Sequence, residues 1–127
     1  MSDKKKVLHG SIYDLPDAPG VFFKGATKKV VYGPTRFLPD YVVRCWILEP
    51  SGGESKTHHH EWPHWVICIE GECTNVIDDD TFDMTAGCWE YIPGNAEHRF
   101  WNKSDTERCL VLCMVPPEGD IPIKGGC

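Results

Sequence analysis

The chain has 127 residues, of which 41% are hydrophobic and 25% charged, with a formal net charge of −6; these values suit one soluble globular domain and exclude global disorder. No basic stripe extends beyond Lys4, Lys5 and Lys6 and the pair Lys28 and Lys29. The acidic balance therefore argues against nucleic-acid binding, which rests on phosphate neutralisation, and against an anionic membrane surface.

Residues 1–20 carry Pro16, Pro19 and Gly20 and few periodic apolar positions, and are expected to form an irregular N-terminal arm. The arm has positive charge but no apolar stretch after it, so it does not read as a secretory signal. The longest wholly apolar run, Cys109 to Val115, is far too short to span a bilayer, and a cytoplasmic location is expected. Residues 21–116 then hold short runs rich in Val, Ile, Trp, Tyr and Thr, punctuated by turn residues, which is the signature of an all-β sandwich or barrel. Tyr41 to Glu49 is the first strong strand, ended by Pro50 to Gly53. Lys56 to His60 reads as a short strand, and Pro63 interrupts the ladder because it has no N–H to donate. Trp65 to Ile69 and Glu72 to Ile77 form a hairpin about Glu70 and Gly71. Asp78, Asp79 and Asp80 make a turn. Phe82 to Thr85, Cys88 to Ile92, His98 to Trp101 and Arg108 to Val115 complete the series. No window shows a convincing helical period, so little helix is expected. Residues 117–127 read as a surface tail.

Four of the six histidines fall in an informative arrangement. Side chains alternate faces along a strand, so His58 and His60 point the same way and can converge on one ion, while His59 points away. His64 follows the bend at Pro63, and His98 arrives on a later strand. Ligands from several strands are what a metal site needs to fix its geometry.

The spacing around these histidines resembles the cupin superfamily. Its first motif places glycine, five residues, His-x-His, a glutamate position and a later glycine; Gly52, His58, His60, position 64 and Gly71 match it. Its second motif places glycine, proline, histidine and asparagine; Gly87, Pro93, His98 and Asn102 match it. Together the motifs cover residues 52 to 102. Two departures stand out: His64 occupies the glutamate position, and the second-motif glycine is Gly94, one residue early. The resemblance implies an all-β, double-sheet jelly-roll barrel with one divalent metal in its mouth, held by His58, His60, His64 and His98. Four neutral imidazoles favour iron, nickel, copper or zinc, with manganese less suited; Fe²⁺ leads, and the choice of His64 as ligand or as a group behind the ligands stays open. The resemblance also implies homodimers, for which the N-terminal arm is a natural element.

Cupin pockets are mostly apolar. Trp62, between the histidines and outside a regular strand, and Trp46 are the expected lining. Arg44, Glu90 and Tyr91 interrupt otherwise apolar strands. Turned inward, Arg44 would hold a substrate carboxylate, and Glu90 or Tyr91 would move a proton. Strand parity alone does not say which face is inward, and the solvated outer sheet is the expected place for all three. Seven cysteines, at 45, 68, 73, 88, 109, 113 and 127, lie mostly within apolar strands and read as buried reduced thiols acting as small hydrophobes. There is no Cys-x-x-Cys pair. Cys109 and Cys113 share a strand face but lie too far apart for one ion, and Cys127 reads as a frayed end.

The expected function is that of a metal-dependent enzyme acting on a small oxygenated organic molecule. A mononuclear non-haem iron dioxygenase leads, with a zinc or nickel lyase, isomerase or cyclase as the alternative within the class. Outside it stand a non-catalytic module sensing a small ligand or metal, whose site would be closed, and a structural barrel without metal.

Overall fold

A computed structural model of the chain describes residues 7–18, 23–55 and 59–120. His58 and Cys127 lie outside the described residues. The described part is built from strands: β1 (Asp17–Ala18), β2 (Phe23–Lys24), β3 (Ala26–Tyr32), β4 (Val42–Leu48), β5 (Glu54–Ser55), β6 (His64–Glu70), β7 (Glu72–Ile77), β8 (Asp80–Thr85), β9 (Trp89–Ile92), β10 (His98–Asn102) and β11 (Cys109–Val115). The only helical turns among the described residues are short 3₁₀ segments at Ile12–Asp14 and Pro117–Gly119. No helix among them is long and apolar enough to cross a membrane.

The strands form two antiparallel sheets, a six-stranded one in the order β1-β3-β4-β11-β6-β9 and a five-stranded one in the order β2-β5-β10-β7-β8. The chain passes from one sheet to the other at Gly71, between β6 and β7. Gly71 has φ +77, and a Cβ there would lie 2.3 Å from the Arg108 carbonyl oxygen, so only glycine fits the corner. This is an all-β jelly roll. Alternation sets its inner face: β6 runs buried-exposed from His64, β9 buries Glu90 and Ile92, and β10 buries His98, Phe100 and Asn102. Trp46, Leu48, Val66, Cys68, Cys73, Met84, Ile92, Phe100, Val111 and Val115 fill the space between the sheets.

β4 is buried at nearly every position. Its outward Cys45 and Ile47 join Leu110 in a second apolar cluster, covered by Ile12 and Val31. Residues 7–18 of the N-terminal arm are therefore less irregular than expected. Ser11 caps the 3₁₀ turn, β1 pairs with β3, and the Tyr13 hydroxyl donates to Glu70. β3 has no strand signal in the sequence because Lys28 and Lys29 sit at its centre. Both are buried, and both are held by carboxylates: Lys28 Nζ by Asp120 at 2.6 Å and Lys29 Nζ by Asp17 at 3.0 Å.

Of the expected strand over Lys56 to His60, residues 56–58 lie outside the described residues, and His59 and His60 are irregular backbone rather than strand. The described ladder lies earlier, at Glu54–Ser55. The 59–60 segment is tied instead to the turn after β9: Asn95 N–H donates to the His60 carbonyl at 2.7 Å.

Candidate metal centre

His64 opens β6 and His98 opens β10, so one imidazole comes from each sheet at the same end of the barrel. Their cross-strand neighbours are Ile92 and Ile77, which give the site apolar sides. His60 reaches in from the irregular segment before Pro63. The three ring centroids form a near-equilateral triangle: His60–His64 4.6 Å, His60–His98 5.1 Å and His64–His98 5.0 Å. His64 and His98 are buried and His60 is half-buried, so the site opens on the His60 side.

Each ring is oriented through its Nδ1. His98 Nδ1 lies 3.0 Å from the Ala96 carbonyl oxygen and His60 Nδ1 lies 3.3 Å from the Trp62 carbonyl oxygen. His64 Nδ1 lies 3.2 Å from Cys113 Sγ. In the tautomer these contacts favour, Nδ1 carries the proton and donates, and Nε2 is the basic nitrogen. His60 Nε2 and His64 Nε2 are 3.1 Å apart. An ion bound about 2.0–2.1 Å from each nitrogen would separate them by about 3.0–3.4 Å. One ligand nitrogen of each of His60, His64 and His98 lies within 4.8 Å of the others. The donor set and its spacing therefore fit a first-row divalent ion of the imidazole-binding kind. His59, the expected non-ligand, is exposed.

Trp62 stacks on His60, with centroids 4.6 Å apart and planes 10° from parallel. Trp46 is buried inside the barrel, with Lys28 Nζ 5.7 Å from its ring centroid and the Arg44 guanidinium 5.9 Å from it. Arg44 and Glu90 point inward rather than onto the solvated face, because they share parity with Trp46 and with Ile92 on their strands. Arg44 is fully buried, and its Nη1 donates to Asp120 at 3.0 Å and to the Gly119 carbonyl at 3.3 Å. Tyr91 keeps the outward parity; it is half exposed and packs on Trp65 at 5.8 Å, away from the histidines.

Glu90 is 7% exposed. Burial pushes its carboxyl up to about 7, with the nearby Cys68 adding to the effect. The Asn75 amide, its nitrogen turned to the carboxylate, lies 3.3 Å from both Glu90 oxygens. Glu90 pairs with Val66 across the β6–β9 ladder, which makes it the diagonal neighbour of His64, one inward position deeper.

Two contributors had no sequence signal. Cys113 reads as a small hydrophobe, yet β11 pairs with β4 and β6 together and sets its thiol between Arg44 and His64. Burial pushes that thiol up, so it stays protonated or neutral toward the ring. The C-terminal 3₁₀ turn is the other: the site for a Cβ on Gly119 is 2.7 Å from Trp62 Nε1, so this turn packs directly on the tryptophan that backs His60. The motif asparagine, Asn102, serves the scaffold. Its Nδ2 donates to the Leu48 and Glu107 carbonyls at 3.1 and 2.8 Å, tying the end of β4 and the loop before β11 to β10.

The sequence profile described as cupin domain matches residues 45–115. No curated protein matches the chain. Among solved structures, the polyketide cyclase RemF from Streptomyces resistomycificus superposes with a TM-score of 0.75 at 22% identity, covering 90% of this chain and 80% of that one. A cupin 2 domain-containing protein from Halorhodospira halophila gives 0.68 at 26% identity, over 73% of this chain and 65% of that one. A sugar phosphate isomerase of the cupin superfamily from Silicibacter pomeroyi gives 0.69 at 20% identity, over 84% and 73%.

Proposed function

Because the chain belongs to the cupin domain family, we propose that it is a metal-dependent enzyme acting on a small oxygenated organic molecule at the His60–His64–His98 mouth of its barrel. The observation that carries this reading is the convergence of one imidazole from each sheet with a third from the segment before Pro63, each fixed through Nδ1 with Nε2 as the donor nitrogen. A divalent ion held there supplies Lewis acidity toward a substrate oxygen. The protein's own part is positioning. Trp62 walls the open side beside His60, and Ile77 and Ile92 keep the flanks dry.

Within this class, Glu90 favours a proton-transfer reaction, of the cyclase, isomerase or lyase kind. A buried carboxyl poised near 7 can accept and return a proton at its carboxylate oxygen, with Asn75 holding its orientation. Polyketide cyclase and sugar phosphate isomerase activities among the structural neighbours agree with that class. Iron dioxygenase chemistry is the second reading, supported by the all-imidazole donor set, which suits iron as well as zinc or nickel.

Metal analysis of the purified chain should find one histidine-held equivalent that is lost in His64→Ala and His98→Ala. The zinc-, nickel- and iron-loaded forms should then be assayed against diketones, hydroxyketones and phenolic acids, following O₂ uptake and product mass. Isomerised or cyclised product without O₂ uptake supports proton transfer; O₂ uptake with the iron form alone supports the second reading. Metal content unchanged by both substitutions would sink the site itself.

A further inference from the structure

The barrel interior holds a second convergence of metal-binding side chains. Cys68 on β6, Cys73 on β7 and Cys109 on β11 are each fully buried, and their sulfurs lie within 4.8 Å of one another. All three are free thiols. They form a layer separate from the histidines, and three strands mark the same offset. Cys68 is four residues along β6 from His64. Cys109 is four residues along β11 from Cys113, which touches His64. Cys73 is four residues along β7 from Ile77, the partner of His98. Four strand residues span about 13 Å.

The backbone is shaped at this point. The Gly71 corner packs against Arg108 and Cys109, which carries β7 back over β6 and sets Cys73 opposite Cys68. The β11–β6 pairing shifts register between Leu110 and Val111, immediately after Cys109. Met84, the cross-strand partner of Cys73 and likewise buried, adds a thioether to the same layer.

We propose that Cys68, Cys73 and Cys109 form a second, sulfur-rich site for one thiophilic metal ion, Zn²⁺ or Cu⁺, that clasps the two sheets together. Thiolate–zinc bonds of about 2.3 Å place ligand sulfurs about 3.8–4.0 Å apart, within the 4.8 Å that bounds the three sulfurs here. Soft sulfur donors select these ions over the harder ones suited to oxygen sites. Each thiolate–metal bond releases one thiol proton to solvent. Two such bonds to a divalent ion, or one to a monovalent ion, leave the site neutral, as a dry interior requires. The site stands independently of the histidine centre.

The cluster is closed on every side, so the ion must enter as the chain folds. The test expresses the full chain with Cd²⁺ in the medium and records cadmium NMR and the ultraviolet thiolate-to-cadmium band. Two resonances are expected from the wild type, one in the nitrogen-ligand region and one in the sulfur-ligand region. The band should persist in His60→Ala/His98→Ala and vanish, with loss of one equivalent, in Cys68→Ser/Cys109→Ser. Parallel expression with Zn²⁺ or Cu⁺ identifies the preferred ion by metal content. The wild-type spectrum decides even where the serine variant fails to fold. Absence of a sulfur-region resonance, with three reduced thiols by mass, overturns the site; a mass lighter by two hydrogens, locating a disulfide within the cluster, overturns it in favour of a redox pair.

Discussion

Cys113 and His64 show how one side chain can set the chemistry of another. The thiol does not face the ligand triangle; it lies 3.2 Å behind it, on His64 Nδ1. On the proposed metal reading, Cys113→Ala should weaken divalent-ion affinity by about tenfold, whereas His64→Ala should exceed about 100-fold, both measured by competition with a chelating dye. Glu90 makes a different prediction. Its carboxyl is raised from 4.5 to about 7, chiefly by burial. Its contribution to stability is therefore fully present below pH 4.5, declines as the unfolded chain ionises, and is lost once pH has risen through 7. Glu90→Gln cannot ionise. Denaturant titrations of the two proteins should diverge over that window, with the wild type losing on the order of 3 kcal/mol relative to the variant. A difference that stays constant with pH would show that the buried carboxyl is not perturbed. The inward turn of Glu90 and Arg44 was not legible in the sequence. Alternation says that Glu90 and Tyr91 face opposite ways, but the choice between them is made by Ile92, whose apolar side chain must share the core with Glu90.

At the scale of elements, strands with a clean period were legible and the loops that complete the site were not. β6 and β10 announce themselves as short runs of β-branched and aromatic residues bounded by turn residues, and each begins at a histidine. β3 does not, because its buried lysines are compensated by Asp17 and Asp120, which are remote in sequence. His60 was expected on a strand, and it is held instead by a loop-to-loop contact. Gly94 lies under that loop, and a Cβ there would come 2.3 Å from the Glu61 carbonyl oxygen. Gly94→Ala must push the 60–61 segment away from the turn after β9. The expected result is a melting temperature lowered by a few degrees and metal affinity reduced more than tenfold, because His60 moves while His64 and His98 stay on their strands. Equal affinity in calorimetric titration would show that the loop does not position the ligand.

At the scale of the molecule, the two motifs in residues 52 to 102 were enough to give the family, the double-sheet barrel and the histidine end of it. They carried no trace of what closes the interior. Asp120, beyond the last strand, accepts from Lys28 at 2.6 Å and from Arg44 at 3.0 Å, and both cations are buried. Asp120→Ala removes the carboxylate that both buried cations contact. It should cost about 3 kcal/mol or more in guanidinium denaturation, far beyond a surface ion pair. By contrast, Trp89, at 75% exposure on the outer face, has no such duty, and its replacement by lysine should change stability by no more than about 0.5 kcal/mol.

The position of that closure in the chain has a consequence for biosynthesis. Ribosomes deliver β11 after every other strand, and the 117–120 turn follows it. Until both have emerged, Arg44 lacks its counter-charge, Trp62 lacks its backing, and Cys68 and Cys73 lack their third companion. The nascent barrel is thus an open vessel until β11 and the 117–120 turn dock, and an ion destined for the proposed cysteine site must be aboard before they do.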